Sequence, residues 1–101
     1  SKNTIINYGA VSHQTALAMV KGLKKITDSE ILLSVTGVAG PSGGTLRTPV
    51  GCVFFGIGSK INKKYTFKTT KKIFHEKTRH AIQKKSTEYA MYLILKELKK
   101  I

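Results

Sequence analysis

Ile31-Leu32-Leu33-Ser34-Val35 runs directly into Thr36-Gly37-Val38-Ala39-Gly40-Pro41-Ser42-Gly43-Gly44, and this junction decides the fold. The first five residues are an apolar run that predicts a buried strand. The next nine contain four glycines and a proline. Without a Cβ, glycine lets the backbone adopt positive φ and approach a ligand closely. Successive N–H groups in such a turn can converge into an anion-binding nest. In open α/β sheets, ligands collect at the carboxyl ends of strands, and this loop leaves such an end. A plain strand connection is usually about two to six residues and rarely so rich in glycine. The reading therefore favours a functional loop over a plain connection.

Downstream, Pro49-Val50-Gly51 leads into a second buried strand, Cys52-Val53-Phe54-Phe55-Gly56-Ile57. Gly58-Ser59 and Asn62 mark a turn. Residues 63–70 then alternate, with Tyr65 and Phe67 on one face and Thr66 and Lys68 on the other. This is an edge-like strand with one wet side, its lysines guarding against edge pairing. The short connection makes its pairing with the second strand antiparallel. Upstream, Ser12 is a good N-cap, and Ala16, Met19, Val20, Leu23 and Ile26 recur at helical spacing over about residues 13–26. From about Glu76 the pattern is helical again, with Ile82, Tyr89, Ala90, Leu93, Ile94 and Leu98 on the buried stripe. The continuous apolar character of residues 30–36 predicts a strand covered on both faces. Helix–strand–strand–strand–helix is an α/β sandwich pattern. Three strands are few for such a sheet, and residues 1–11 read as the tail of something that began earlier.

The 101 residues carry a formal net charge of +13, nearly all of it lysine, with Arg47 and Arg79 the only arginines. Such a charge attracts polyanions. Arginine is the usual reader of base edges, whereas lysine gives a generic field, and no aromatics interleave the charge for base stacking. A solvated lysine surface is favoured and no specific nucleic-acid partner is expected, although a nucleotide phosphate would benefit from the field. No apolar run approaches a membrane span, so no membrane partner is expected. No signal peptide is expected either, and the lone Cys52 fits a reducing, cytoplasmic setting as a small core residue. His13, at the first helix start, has no second ligand at metal spacing, so no metal is expected. Asp28, Glu30, Glu76, Glu88 and Glu97 fall at turns or on helix surfaces, without a paired carboxylate. There is no nucleophile elbow, Walker loop or dinucleotide fingerprint. Arg79 stands out near the start of the last helix, where an anion is already favoured and a guanidinium adds a bidentate clamp. A plain surface arginine is the equal alternative.

Taken together, Gly9-Ala10-Val11-Ser12 with Thr15-Ala16 and Met19 to Gly22, the Thr36–Gly44 string, and Pro49-Val50-Gly51 resemble the C-terminal domain of the CinA family, over essentially the whole chain. Members include nicotinamide-nucleotide amidohydrolases. The resemblance implies a three-layer α/β/α sandwich with a mixed sheet, here expected to lack its N-terminal strand and helix, with residues 1–101 as the C-terminal part of one amidohydrolase domain. It implies hydrolysis of the carboxamide of nicotinamide mononucleotide to the acid nucleotide and ammonia, in pyridine-nucleotide salvage, with no cofactor. The family's nucleophilic serine and its lysine lie in segments expected upstream of residue 1. No catalytic residue is therefore expected in this chain, which by itself is expected to be inactive. A desolvated, neutral lysine is suited to take the serine proton and pass it to the leaving ammonia. By resemblance, the substrate-binding residues are Thr36, Gly37, Val38, Ala39, Gly40, Gly43, Gly44 and Arg79. Arg79 matches the first arginine of the family's F-x-G-D-R-x-x-(V/I)-R segment, while the second has become Gln83 and the preceding glycine is absent. Members commonly associate, so a homo-oligomer is expected. The alternative is a non-catalytic nucleotide- or nucleic-acid-binding module linked to competence.

Overall fold

The structure, a computed structural model, describes residues 11–37 and 49–100. Helix α1 (His13–Leu23) leads to strand β1 (Ile31–Gly37), and strands β2 (Cys52–Ile61) and β3 (Lys64–Ile73) precede helix α2 (Arg79–Leu98). The strands form one sheet in the order β1-β2-β3, both pairs antiparallel. The parallel pair that would make the sheet mixed is not among the described residues.

Alternation along β2 sorts the core into two faces. Cys52 and Phe54 pack with Ala16 of α1, whereas Val53, Phe55 and Ile57 cluster with Phe74, Ile82 and Leu93 on the α2 side. A helix therefore covers each face, the three-layer α/β/α arrangement. Phe55 is fully buried, with its ring centroid 5.2 Å from that of Tyr89. Its burial stabilises the fold by roughly 2–3 kcal/mol.

Ser12 caps α1, its Oγ accepting from the Thr15 N–H at 3.0 Å. Thr15, Ala16 and Val20 are the buried positions of α1. Ala16 sits so close to the sheet that its carbonyl occupies the space a Cβ on Gly56 would need. The Ser34 hydroxyl donates to the same carbonyl at 2.7 Å. The small residues Ala16, Ser34 and Gly56 thus set the helix–sheet distance. The helix ends at Leu23, with Lys24 as its C-cap. Ile26, expected in the last buried turn, lies beyond the helix and is 80% exposed.

The β2–β3 hairpin is longer than the sequence reading. Gly58 and Ser59 continue β2, because each is paired on both sides, to Leu32 and Ile31 of β1 and to Phe67 and Thr66 of β3. The chain reverses at Asn62, as the sequence predicts, and at Lys63, both at positive φ. Tyr65 and Phe67 share one face of β3, as their spacing requires. β1 is only partly covered on the α2 side: Leu33 packs against the core there, but Val35 is 41% exposed.

Thr78 caps α2, its Oγ1 accepting from the Ala81 N–H at 3.1 Å. Near the other end, the reading exchanges two neighbours. Leu98 is half exposed and Glu97 is buried. The Ser59 hydroxyl donates to Glu97 Oε1 at 2.6 Å, and Lys68 and Lys100 ammonium groups lie 2.9 and 3.1 Å from Oε2.

Cys52 is fully buried, as its apolar surroundings predict. Burial pushes its thiol up, against the opposing field of Lys71. The thiol therefore stays protonated and inert at neutral pH. Cys52→Ala is expected to cost about 1 kcal/mol in denaturant titrations and to leave activity within about tenfold of wild type. Native Cys52 should resist iodoacetamide. Rapid alkylation of the folded protein, or turnover abolished with folding intact, would contradict this.

Candidate active site

β1 delivers its carboxyl end to one edge of the sheet. Thr36 pairs with Phe54 and Gly37 with Val53. Alternation turns Thr36 toward α1, half-buried, and leaves exposed Gly37 facing α2. The remaining loop positions of the expected set, Val38, Ala39, Gly40, Gly43 and Gly44, lie outside the described residues.

Between β1 and α2 runs an open groove of about 460 Å³. Its floor is Leu33, Val35, Gly37 and Val53, and its helical wall includes Ile82, Ala90, Met91 and Ile94. Gln83, Ser86 and Thr87 supply the polar positions. The Ser86 and Thr87 hydroxyls donate to the carbonyls of Ile82 and Gln83 at 2.8 and 3.0 Å. The Gln83 side-chain amide makes no hydrogen bond among the described residues. An apolar groove with a few polar groups is the usual form of a small-molecule site.

Arg79 is the first residue of α2 and exposed, and its side chain forms no ion pair or hydrogen bond among the described residues. It lies one turn before Gln83, and residues four apart share a helix face. The first turn of α2 holds no acid and opens with Arg79-His80. That is the reverse of what a helix macrodipole favours. A cationic start on a positive helix end is offset by an anionic ligand. The structure thus brings Gly37 and the Gln83 position into one groove beneath the helix start carrying Arg79, while Thr36 points to the other face.

His13 is an exposed surface histidine, its Nδ1 2.8 Å from Thr69 Oγ1 and its ring edge-on to Phe54. Among the described residues, no three His, Cys, Asp or Glu side chains are grouped to hold a metal. No described helix is long and apolar enough to cross a membrane.

One feature of the charge was missed in the sequence. Tyr65 and Phe67 stack at 5.7 Å, with Lys24 and Lys60 over the first ring and Lys21 over the second. Aromatics do interleave the lysines here, because α1 brings Lys21 and Lys24 across the sheet to them. The alternation of Lys64, Tyr65, Phe67 and Lys68 was the available signal.

The profile of the CinA C-terminal domain matches residues 1–98. CinA-like proteins of Petrotoga mobilis and Pseudothermotoga lettingae are 42% identical over 99 residues and 36% identical over 96. These alignments cover 98% and 95% of this chain but 23% and 22% of those proteins. The competence/damage inducible protein CihA of Agrobacterium tumefaciens superposes with a TM-score of 0.81 at 28% identity, over 94% of this chain and 56% of that one. The competence damage-inducible protein A of Klebsiella pneumoniae gives 0.81 at 26% identity, over 97% and 58%. The chain thus spans less than a quarter of those relatives and little more than half of the solved chains.

Proposed function

Because the chain belongs to the CinA C-terminal-domain family, we propose that it forms the substrate-binding half of a nicotinamide mononucleotide amidohydrolase. The observation that carries this reading is the shared groove: the root of the glycine loop at Gly37 and the wall residue Gln83 line it, below the helix start at Arg79. The nucleotide phosphate sits at the amino end of α2, where the helix dipole and Arg79 both favour it. The pyridine ring enters the apolar groove. The carboxamide oxygen, as it gains negative charge, calls for preorganised N–H donors, a role that by resemblance falls to the glycine-rich sequence after Gly37. Amide hydrolysis also needs a nucleophile and a base. Ser12 and Ser34 are committed to capping α1 and to the Ala16 carbonyl; by the resemblance, the family's serine–lysine pair supplies the chemistry from outside these residues. The 101 residues by themselves bind and do not turn over.

The test is ammonia release from nicotinamide mononucleotide by the complete domain, wild type against Arg79→Lys. Arg79→Lys keeps the charge and loses the fork. It should lower kcat/KM by about 10- to 100-fold, or roughly 1–3 kcal/mol of transition-state stabilisation. Wild-type kinetics in the variant would remove Arg79 from the site. Absence of ammonia release by the folded wild type would reject the amidohydrolase reading itself.

A further inference from the structure

A cluster of lysines lies at the opposite end of the sheet. β1 runs from Ile31 to Gly37, so its amino end is about 20 Å from the root of the glycine loop. There the β2–β3 turn, the carboxyl end of α1 and the α1–β1 connection border an open depression of about 670 Å³. Lys24, Lys60, Lys63 and Lys64 line it against one acid, Asp28, with the Tyr65 side chain as a wall. Asp28 is already taken: Lys60 Nζ donates to its Oδ1 at 2.6 Å and to its carbonyl at 3.1 Å. Glu30, nearby, acts on Lys60 as well. The Tyr65 hydroxyl is taken too, donating to the Ser29 carbonyl at 2.6 Å. These bonds hold the wall and Lys60 in place and leave Lys24, Lys63 and Lys64 without an acidic partner among the described residues. Lys24 Nζ stands 5.5 Å and Lys60 Nζ 5.8 Å from the Tyr65 ring centre.

The turn gives the second, independent observation. Ile61 pairs with Lys64, so Asn62 and Lys63 are a two-residue loop, with φ of 53° and 68°. Positive φ at both positions is the type I′ turn, which asparagine suits at the first position and glycine at the second. Lysine at the second position is strained. The chain therefore accepts both charge crowding and a left-handed lysine at one place, and such local conflicts gather at functional sites.

We propose that this pocket binds a compact phosphorylated anion, a free diphosphate or the phosphate end of a small ester, independently of the groove beside α2. The ammonium groups of Lys24 and Lys63 meet its oxygens, Lys64 adds charge at the rim from the other face of β3, and Lys60, held by Asp28, fixes the wall.

Calorimetric titration of the folded protein with inorganic diphosphate tests the site, with glycerol phosphate in a second arm to represent an ester. Binding of at least one of the two, saturable, at one site and weakening as salt rises, is the expected result. The tighter arm identifies the source. Lys63→Gly should weaken binding about tenfold, as should Lys24→Ala, since each removes a charged contact. Lys63→Gly should at the same time raise the melting temperature, because glycine relieves the turn, so lost binding is not mistaken for lost folding. Lys84→Ala, on α2, should change neither. The proposal fails if neither anion binds, or if Lys63→Gly stabilises the protein and binds as before. It also fails if Arg79→Lys rather than Lys63→Gly abolishes binding, which assigns the anion to the groove. Finally, a single-stranded oligonucleotide whose affinity rises with length and exceeds that of both small anions would assign the surface to a nucleic-acid backbone.

Discussion

Gly51→Ala is expected to lower the free energy of unfolding by about 4 kcal/mol or more, among the largest losses a single methyl group can produce. Gly51 has φ of 89°, in the left-handed region. Forcing alanine there costs about 1–2 kcal/mol before any contact is considered. The rest is steric. The added Cβ would fall on the carbonyl oxygen of Phe74, which is backbone and cannot rotate away. The two strands are also tied at this point. The Phe74 N–H donates to the Gly51 carbonyl at 2.9 Å, and Cys52, the next residue, pairs with Ile73. Relief requires the amino end of β2 to move off the carboxyl end of β3. Phe74 belongs to the main core and its ring meets Tyr89 of α2, so the disturbance reaches the wall of the groove. Urea titration of both proteins measures the loss. A change below about 1 kcal/mol would mean that the turn relaxes without separating the strands. Gly51 is thus a structural member of the Pro49-Val50-Gly51 motif, whatever the loop before it binds.

The same residues show what could be read in advance. The elements were legible because their signals are local: Ser12 and the apolar spacing after it, the unbroken run around Phe55, and the alternation through Tyr65 and Phe67. Their ends were less so. The hairpin turn was misplaced because Gly58 looks like a breaker, while pairing to strands on both sides holds it extended. Asn62 was legible as a turn residue, but the tight two-residue form was not, because lysine stands at the second position where glycine is usual. At the site, a strand end before the glycine loop and Arg79 near a helix start were legible, although Gly37, read as loop, closes β1, and the helix, read from about Glu76, begins at Arg79 itself. That Thr36 and Gly37 part to opposite faces follows from the twofold period of a strand. The groove itself was not legible, since it depends on how far α2 stands from the exposed flank of β1. Nor was the basic pocket, where the C-cap of α1 brings Lys24, distant in sequence, to Lys60, Lys63 and Lys64 at the β2–β3 turn.

Glu97 was misread for a reason that helix geometry makes plain, and it carries the second large effect. At about 100° per residue, Glu97 lies about 40° around the helix from buried Leu93, and Leu98 about 140°. The carboxylate, not the leucine, therefore faces the sheet. Burial by itself would raise its pKa. The hydrogen bonds from Ser59, Lys68 and Lys100 outweigh that and hold it at about 2, below the ordinary 4.5. A carboxylate depressed in the folded state stabilises the protein above its unfolded pKa. That contribution is lost as pH falls from about 4.5 to about 2. The full shift corresponds to about 3 kcal/mol. Lys68 and Lys100 are 46% and 49% exposed, and solvent screens them, so about 2 kcal/mol is the better expectation. The Ser59 bond and the Lys68 pair join the last turn of α2 to β2 and β3. Glu97→Gln leaves the cations unpaired and should cost about 2–3 kcal/mol at pH 7. It should also flatten the pH dependence. Unfolding free energies of the two proteins, followed from pH 6 to pH 2.5, decide it: the wild type should lose about 2 kcal/mol more than Glu97→Gln across that range. Parallel curves would show that Glu97 titrates as an ordinary surface carboxylate, and the end of α2 would then be held by Leu93 alone.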